Sequence, residues 1–101
     1  MNGQKIKGMI GLALRARQAA LGMDACRIMI RTGKCGVLLV DQAAGVNTRQ
    51  KTEELCGRTG TPMRMMPEGL IEEATGRNNM VIGLQKGHFS EQILQCVQDD
   101  A

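Results

Sequence analysis

Apolar residues in this chain recur with two patterns, one typical of amphipathic helices and one typical of buried strands. A first helix is predicted over about residues 4–17, because its apolar residues are three or four positions apart: Ile6, Met9, Ile10, Ala13 and Leu14. The run GVLLVDQA, which begins at Gly36, is apolar over a strand's length, as expected of a strand covered on both faces. These two patterns indicate a sheet packed between helices.

Capping residues and shorter apolar runs predict the remaining elements. Asp24 is expected to cap a second helix that ends at Gly33, and Asn47 to cap a third, with Gln50 in the capping-box position. The segment QAALG between the first two helices is expected to be a short extended connection or an edge strand. TPMRMMP and MVIGL predict two further strands, Pro67 opens a fourth helix, and HFSEQILQCVQ predicts a fifth.

Helices and strands alternate along the whole chain. This order predicts an α/β fold, namely a single-domain three-layer α/β/α sandwich with a small central mixed sheet. With 101 residues the chain is long enough for one core, so residues 1–101 are expected to form one domain with its functional surface on that core.

Composition narrows the function classes. Phe89 is the only aromatic residue, which disfavours folds that bind single strands by stacking bases on aromatic side chains. The eight methionines are expected to fill core space in place of aromatic rings. No signal peptide or long apolar run is present, so the protein is expected to be cytoplasmic, with reduced thiols and no membrane partner.

The net charge of +3 is small, but the charges are unevenly distributed. Residues 1–34 carry seven Lys or Arg against one acid, Asp24. From residue 67 onward the balance reverses: Arg77 and Lys86 stand against six acids, Glu68, Glu72, Glu73, Glu91, Asp99 and Asp100. This polarity suggests a basic part that meets a polyanion, although solvated helix faces would produce the same counts.

The sequence assembles no catalytic constellation. The four cysteines form no C-x-x-C pair, so no zinc site is expected. RTGKCG lacks the first glycine and the hydroxyl of a phosphate loop, because Ile28 and Cys35 occupy those positions. Asp41, at a strand end, and His88, the only histidine, are both expected to be structural. We therefore expect no enzyme activity, no cofactor or metal, and no small-molecule substrate.

Several short motifs match a known family in order and spacing. Gly22 and Asp24 stand at the start of the second helix, IRTGK over residues 30–34 precedes the buried strand, and residues 42–51 follow it. In these features the chain resembles the ribosomal-protein family of L-seven-Ae and L-thirty-e, which bind kink-turn RNA, and specifically its small bacterial YlxQ-like subgroup. The resemblance extends over about residues 10–94.

This resemblance implies an α/β/α sandwich that presents the start of its second helix, residues 22–28, to tandem sheared G·A pairs in sharply bent RNA. It also implies that a closing loop, residues 75–79, covers an extruded nucleotide. A helix start offers free N–H groups to phosphates, and basic residues nearby neutralise the flanking backbone. The implied partner is structured RNA, with ribosomal RNA among the candidates, and the implied RNA-binding residues are Arg15, Arg17, Gly22, Asp24, Ala25, Arg27, Ile28, Arg31, Lys34, Gly76, Arg77, Asn78 and Asn79.

The chain departs from the better-known members at the helix start. Those members read G-x-N-E-x-x-K, and here Asp24, Ala25 and Ile28 stand at the Asn, Glu and Lys positions. Asp24 can still accept hydrogen bonds from guanine edges, whereas Ile28 cannot replace a lysine, and Arg27 is one position away. Two hypotheses therefore stay open: a non-enzymatic kink-turn RNA-binding protein, and a ribosome- or factor-docking module on the same scaffold without RNA selectivity.

Overall fold

A computed structural model describes residues 2–97 of the chain. Asp99 and Asp100, which belong to the acidic excess counted above, lie outside these residues. The elements in chain order are α1 Gly3–Arg15, β1 Ala19–Leu21, α2 Met23–Arg31, β2 Cys35–Asp41, α3 Val46–Thr59, β3 Met63–Met66, α4 Leu70–Thr75, β4 Val81–Gln85 and α5 His88–Val97.

The four strands form one sheet in the order β1-β4-β2-β3. Strand β4 is antiparallel to both β1 and β2, whereas β2 and β3 are parallel. The central strands β2 and β4 are buried along most of their length, which is why both read as continuous apolar runs. The predicted mixed sheet is confirmed.

Helices cover both faces of this sheet. On one face α1, α4 and α5 pack around Ile6, Ile10 and Ile93, and on the other α2 and α3 pack around Cys26, Leu38 and Cys56. The predicted three-layer α/β/α sandwich is therefore confirmed. Met66 is fully buried, and five further methionines pack against these two clusters from partly buried positions: Met9, Met23, Met29, Met63 and Met65. Methionine therefore fills core space, as predicted. None of the helices within residues 2–97 has the length and apolar character needed to cross a membrane.

Strand direction divides the molecule into two ends. Strands β1, β2 and β3 finish, and β4 begins, at the end that contains Gly22 and Asp41, here called the proximal end. The distal end contains Gln18, Lys34 and Lys86, where Gln85 N–H donates to Gln18 O and Lys86 N–H donates to Lys34 O. Gln18 and Gly22 flank the three residues of β1, so the two ends are about 13 Å apart along this strand.

The helix starts differ from those predicted. The N-cap of α2 is Gly22 rather than Asp24, and the N-cap of α3 is Gly45 rather than Asn47. Each helix thus starts two residues earlier than predicted, at a glycine, so the side chains of Asp24 and Asn47 lie within the first helical turn. Helix α4 begins at Leu70 rather than Pro67. Gly69, the residue before the helix, donates its N–H to the Asp41 carboxylate, and this bond fixes a turn ahead of α4.

Candidate functional site

The start of α2 depends on a backbone conformation that only glycine adopts readily. Gly22 has φ 87° and ψ 164°, a region that is close to exclusive to glycine because any Cβ is strained there. Its N–H donates to Val81 O at 3.0 Å, so the residue is also fixed to the first residue of β4. Gly22 therefore sets both the direction of α2 and its position against β4.

The closing loop lies directly against this helix start. A Cβ on Gly22 would be 3.4 Å from the Asn79 side-chain oxygen, which places Asn79 in contact with the residue before α2. The loop is ordered by its own hydrogen bonds, in which Arg77 N–H donates to Thr75 Oγ1 and Asn79 N–H donates to Arg77 O. Two segments that are more than fifty residues apart in sequence thus form one surface at the proximal end.

Free hydrogen-bond donors and one carboxylate face outward at this surface. The first intrahelical bond of α2 runs from Cys26 N–H to Gly22 O, and within residues 2–97 the N–H groups of Met23, Asp24 and Ala25 have no acceptor. The Asp24 side chain is 99% exposed, and its Oδ1 is 3.6 Å from Arg27 Nη1. Arg27 therefore offsets the negative charge that Asp24 places beside the positive end of the helix.

Exposed apolar side chains accompany these polar groups. Ile28 on α2 is 57% exposed, Val46 at the first turn of α3 is 69% exposed, and Met80 before β4 is 39% exposed. Met80 O accepts the N–H of Asp41, so Met80 lies beside the end of β2, from which the chain leads to Val46. Val46 and Met80 were missed in the sequence, because their exposure depends on where the strands finish.

Asp41 holds the proximal end together. It is buried, and its two carboxylate oxygens accept the N–H of Ala43 at 2.7 Å and the N–H of Gly69 at 3.0 Å. Its own N–H donates to Met80 O at 2.8 Å. The Asp41 side chain thus connects the turns before α3 and α4, and the Asp41 main chain fixes the segment that leads into β4. The expectation that Asp41 is structural is confirmed.

Three cysteines are buried between the sheet and helices α2 and α3, where burial disfavours the reactive thiolate form. Burial raises the pKa of Cys26 to about 12 and that of Cys56 to about 11, and it also raises the pKa of Cys35. Cys26 Sγ donates to Ala20 O at 3.3 Å, and Gly83 of β4 leaves the space in which this sulfur packs. These thiols are packing groups that bring α2 close to the sheet. Among the described residues no three His, Cys, Asp or Glu are grouped so as to hold a metal ion.

The structure does not bring all predicted site residues together. Helix α2 starts at the proximal end, with Gly22, Asp24, Ala25, Arg27 and Ile28 at its start and on its first two turns. The loop that contains Gly76, Arg77, Asn78 and Asn79 leads into β4 at the same end. Arg15 is the last residue of α1 and Arg17 follows it at the distal end, next to Gln18. Lys34 lies at the same end, with Arg31 one turn before it at the end of α2. Proximity along the chain suggested one basic surface, but β1 and α2 each carry the chain from one end of the sheet to the other.

Two basic residues on α3 were not among those predicted from the sequence. Arg58 lines a cleft of about 200 Å³ with Arg27 and Arg31, and Lys51 and Arg58 line an adjoining cleft of about 150 Å³ with Arg27. Lys51 and Arg58 are seven positions apart, which is two helical turns, so their common face could be read from the sequence. The contact between this face and α2 could not be read from the sequence, because it depends on how the two helices pack.

A larger cavity of about 370 Å³ lies at the distal end, between the end of α2 and the start of α5. Its lining includes Cys35, Gly36, Lys86, Ser90 and Glu91. Ser90 is buried, and its hydroxyl donates to Gly87 O, while Cys35 Sγ donates to Val37 O. The buried polar groups of this cavity are therefore satisfied within the protein, and nothing in it marks a ligand.

Comparison with known proteins supports the relationship indicated by the motifs. No model of a known protein family matches the chain. The chain is 26% identical over 98 residues to the RNA-binding protein YlxQ of Enterococcus faecium, covering 96% of this chain and 95% of that protein.

Solved structures share the same fold. A protein with unknown function from Bacillus halodurans superimposes with a TM-score of 0.87 at 25% identity, covering 94% of this chain and 98% of the other. The Giardia lamblia 15.5kD RNA binding protein superimposes with a TM-score of 0.78 at 12% identity, covering 94% and 86%. The similarity to YlxQ confirms the resemblance to the YlxQ-like proteins inferred from the motifs, and the solved structures share the fold.

Proposed function

We propose that this relative of the YlxQ-like proteins is a non-enzymatic RNA-binding protein, a single ribosomal-protein-like domain that recognises kink-turn or similarly bent RNA at its proximal end. The observation that carries the proposal is the contact between Gly22 and Asn79. It joins the helix start and the closing loop, the two segments that the resemblance assigns to RNA, into one surface. Ribosomal RNA in the cytoplasm is the partner we favour.

The exposed groups at this surface suit an RNA with opened bases. A glycine before α2 lets phosphate approach the free N–H groups of the first turn. Asp24 accepts hydrogen bonds from guanine N–H groups, which sheared G·A pairs leave exposed. Ile28, Val46 and Met80 offer apolar contact to a base turned out of its stack, a role that elsewhere falls to aromatic rings. The proximal end thereby combines anion, base-edge and apolar contacts.

Asp24 and Arg27 act as a unit in this proposal. A lone carboxylate would repel nearby phosphates, whereas the Arg27 guanidinium, 3.6 Å away, offsets its charge and keeps the acceptor oxygens available to guanine. Exposed ion pairs of this kind contribute little to folding stability. The pair therefore matters for binding, as a substitute for the Asn and Lys of the better-known members.

The proposal is tested with two RNAs that differ only in the G·A pairs. Purified protein is titrated by calorimetry into a kink-turn RNA and into a control in which both G·A pairs are replaced by Watson–Crick pairs. We expect the kink-turn RNA to bind at least ten times more tightly at the same salt concentration. Equal, weak binding to both would contradict the proposal.

The Asp24–Arg27 pair gives a sharper prediction. Arg27→Ala should weaken binding to the kink-turn RNA by roughly fivefold or more, because it removes a cation and leaves the Asp24 charge uncompensated. Adding Asp24→Asn to Arg27→Ala should recover much of that loss, since the amide keeps an acceptor oxygen without the charge. Lys5→Ala, which removes an exposed helix cation from the other face of the sheet, is the control. If the double variant binds no better than Arg27→Ala, the two side chains do not work together.

A second function is favoured by one observation, the 57% exposure of Ile28 at the position where relatives carry a lysine. An exposed apolar side chain beside Ala25 suits a protein partner better than a phosphate. In that case the chain is a ribosome- or factor-docking module that kept the scaffold and lost RNA selectivity. Co-purification of a protein partner that depends on Ile28, with no G·A preference in the titrations, would favour this function over the first.

A further inference from the structure

The surface between α2 and α3 carries an unbalanced group of positive charges, here called the basic cleft. Its rims bear Arg27 and Arg31 from α2 and Lys51 and Arg58 from α3, with a single acid, Glu54. No carboxylate within residues 2–97 lies within 4.0 Å of the charged nitrogens of Arg31, Lys51 or Arg58. Asp24 pairs with Arg27 and Glu54 offsets one further cation, so the cleft holds a net charge of about two that the described part of the chain leaves uncompensated.

The cations of this cleft repel one another, and a bound anion would reduce that repulsion. Arg27 and Arg31 are four positions apart on α2, a spacing at which like charges destabilise a helix. Both helices begin at the proximal end and lie side by side on one face of the sheet, so the cations of α3 are added to those of α2. Four cations thus converge along one track rather than being spread over the surface.

The shape and chemistry of the cleft indicate a sugar-phosphate backbone as its occupant. The floor is formed by Ile30 and Leu55, and the cations on the rims are spaced along the helices by about 6 Å from Arg27 to Arg31 and about 10 Å from Lys51 to Arg58. An extended strand of regularly repeated anions fits this spacing better than a single small anion. No aromatic side chain lines the cleft, so it offers no platform on which bases would stack.

We propose that the basic cleft holds the phosphate backbone of an RNA strand that continues from the proximal end toward the distal end. The inference rests on the proposed function, because Arg27 belongs both to the cleft and to the Asp24 pair at the start of α2. A strand that leaves the proximal surface meets Arg27 first, then Arg31 and Arg58. The cleft contributes affinity and orientation without reading sequence, since phosphate contacts carry no base information.

The test is the salt dependence of binding, measured for Arg58→Ala and for the control Lys5→Ala. Each variant removes one exposed helix cation, but only Arg58 lines the cleft, and Lys5 lies on α1 across the sheet. Arg58→Ala should reduce the slope of log K against log salt concentration by about 0.7 to 0.9, the value for one lost phosphate contact. Lys51→Ala combined with Arg58→Ala should reduce it by about twice as much. Lys5→Ala should leave the slope unchanged.

Measuring these slopes on both RNAs separates this inference from the proposed function. If Arg58→Ala lowers the slope equally for the kink-turn RNA and the Watson–Crick control, while discrimination between them is retained, the cleft holds backbone as proposed. If the wild type does not discriminate but Arg58→Ala still lowers the slope, the proposed function fails and the cleft proposal stands.

An unchanged slope for the double variant in a protein that still discriminates would overturn the cleft proposal alone. The same holds if the double variant keeps its RNA affinity but loses a co-purified acidic protein. Because all these residues are exposed, loss of folding is not expected. Circular dichroism of each variant checks this before titration.

Discussion

The two ends of the central sheet carry different kinds of group. At the proximal end Gly22, Asp24 and Asn79 come together around free N–H groups, and Asp41 fixes the turns that support them. At the distal end the polar groups of the cavity are satisfied internally, and the exposed chemistry consists mainly of cations, among them Lys34 and Lys86. In the proposed function this difference separates two roles, because base-edge contacts are assigned to the proximal end and contacts with the phosphate backbone to the cleft and the distal end.

The C-terminal ends of α1 and α2, both at the distal end, have the same hydrogen bonds but differ in one residue. Helix α2 finishes with Gly33 N–H donating to Ile30 O and Lys34 N–H donating to Met29 O, and Gly33 has φ 73°. Helix α1 finishes with the same two bonds, but Arg17 stands at the equivalent position with φ 60°. A glycine is favoured at this left-handed position, so an arginine there costs stability. Arg17 therefore adds a strained backbone position to the distal end.

The largest effect is expected from Gly22→Ala at the proximal end. The conformation of Gly22 strains any side chain by about 1–3 kcal/mol, and the new Cβ would lie 3.4 Å from Asn79 Oδ1, at van der Waals contact. We expect the free energy of unfolding to fall by that amount and discrimination between the two RNAs to be lost. Urea unfolding and the paired titrations measure both. A variant that keeps full G·A preference would show that the Gly22–Asn79 contact is not part of the reading surface.

Gly36→Ala makes the matched change at the distal end. Gly36 lies at an irregularity of β2, and a Cβ there would collide with Ser90, coming within 2.8 Å of its Cβ. Overpacking of this kind costs about 1–3 kcal/mol. We expect the free energy of unfolding to fall while the folded protein retains its discrimination between the RNAs. Loss of discrimination in this variant would mean that the two ends are not independent.

The smallest effect is expected from Arg17→Gly. Relief of left-handed strain, about 1–2 kcal/mol, exceeds the added entropy of a glycine in the unfolded chain, about 0.5–1 kcal/mol. The free energy of unfolding should therefore rise by about 0.5–1 kcal/mol. The salt slope of RNA binding should fall by about 0.7 to 0.9 and discrimination should not change, because the lost contact is to phosphate. An unaltered slope would remove Arg17 from the RNA-binding residues.

Sequence patterns predicted the order of the elements because burial on both faces leaves continuous apolar runs in β2 and β4. The motifs also indicated the helix start and the closing loop. Periodicity did not predict that Gly22 and Gly45 cap their helices, because those starts depend on backbone conformation. Nor did it predict that Arg15, Arg17 and Lys34 are remote from Asp24, or that Arg58 faces Arg31. The distances between residues of different elements depend on strand direction and on how the helices pack, and the apolar pattern of one helix carries no information about either.

The most direct test of the central claim is the change in backbone amide NMR signals when kink-turn RNA is added to isotopically labelled protein. We expect the largest changes at residues 22–25 and 76–79, and we expect the Watson–Crick control RNA to perturb only the basic cleft and the distal cations. The same set of changes with both RNAs, with residues 22–25 and 76–79 unaffected, would contradict the claim that the proximal end reads bent RNA.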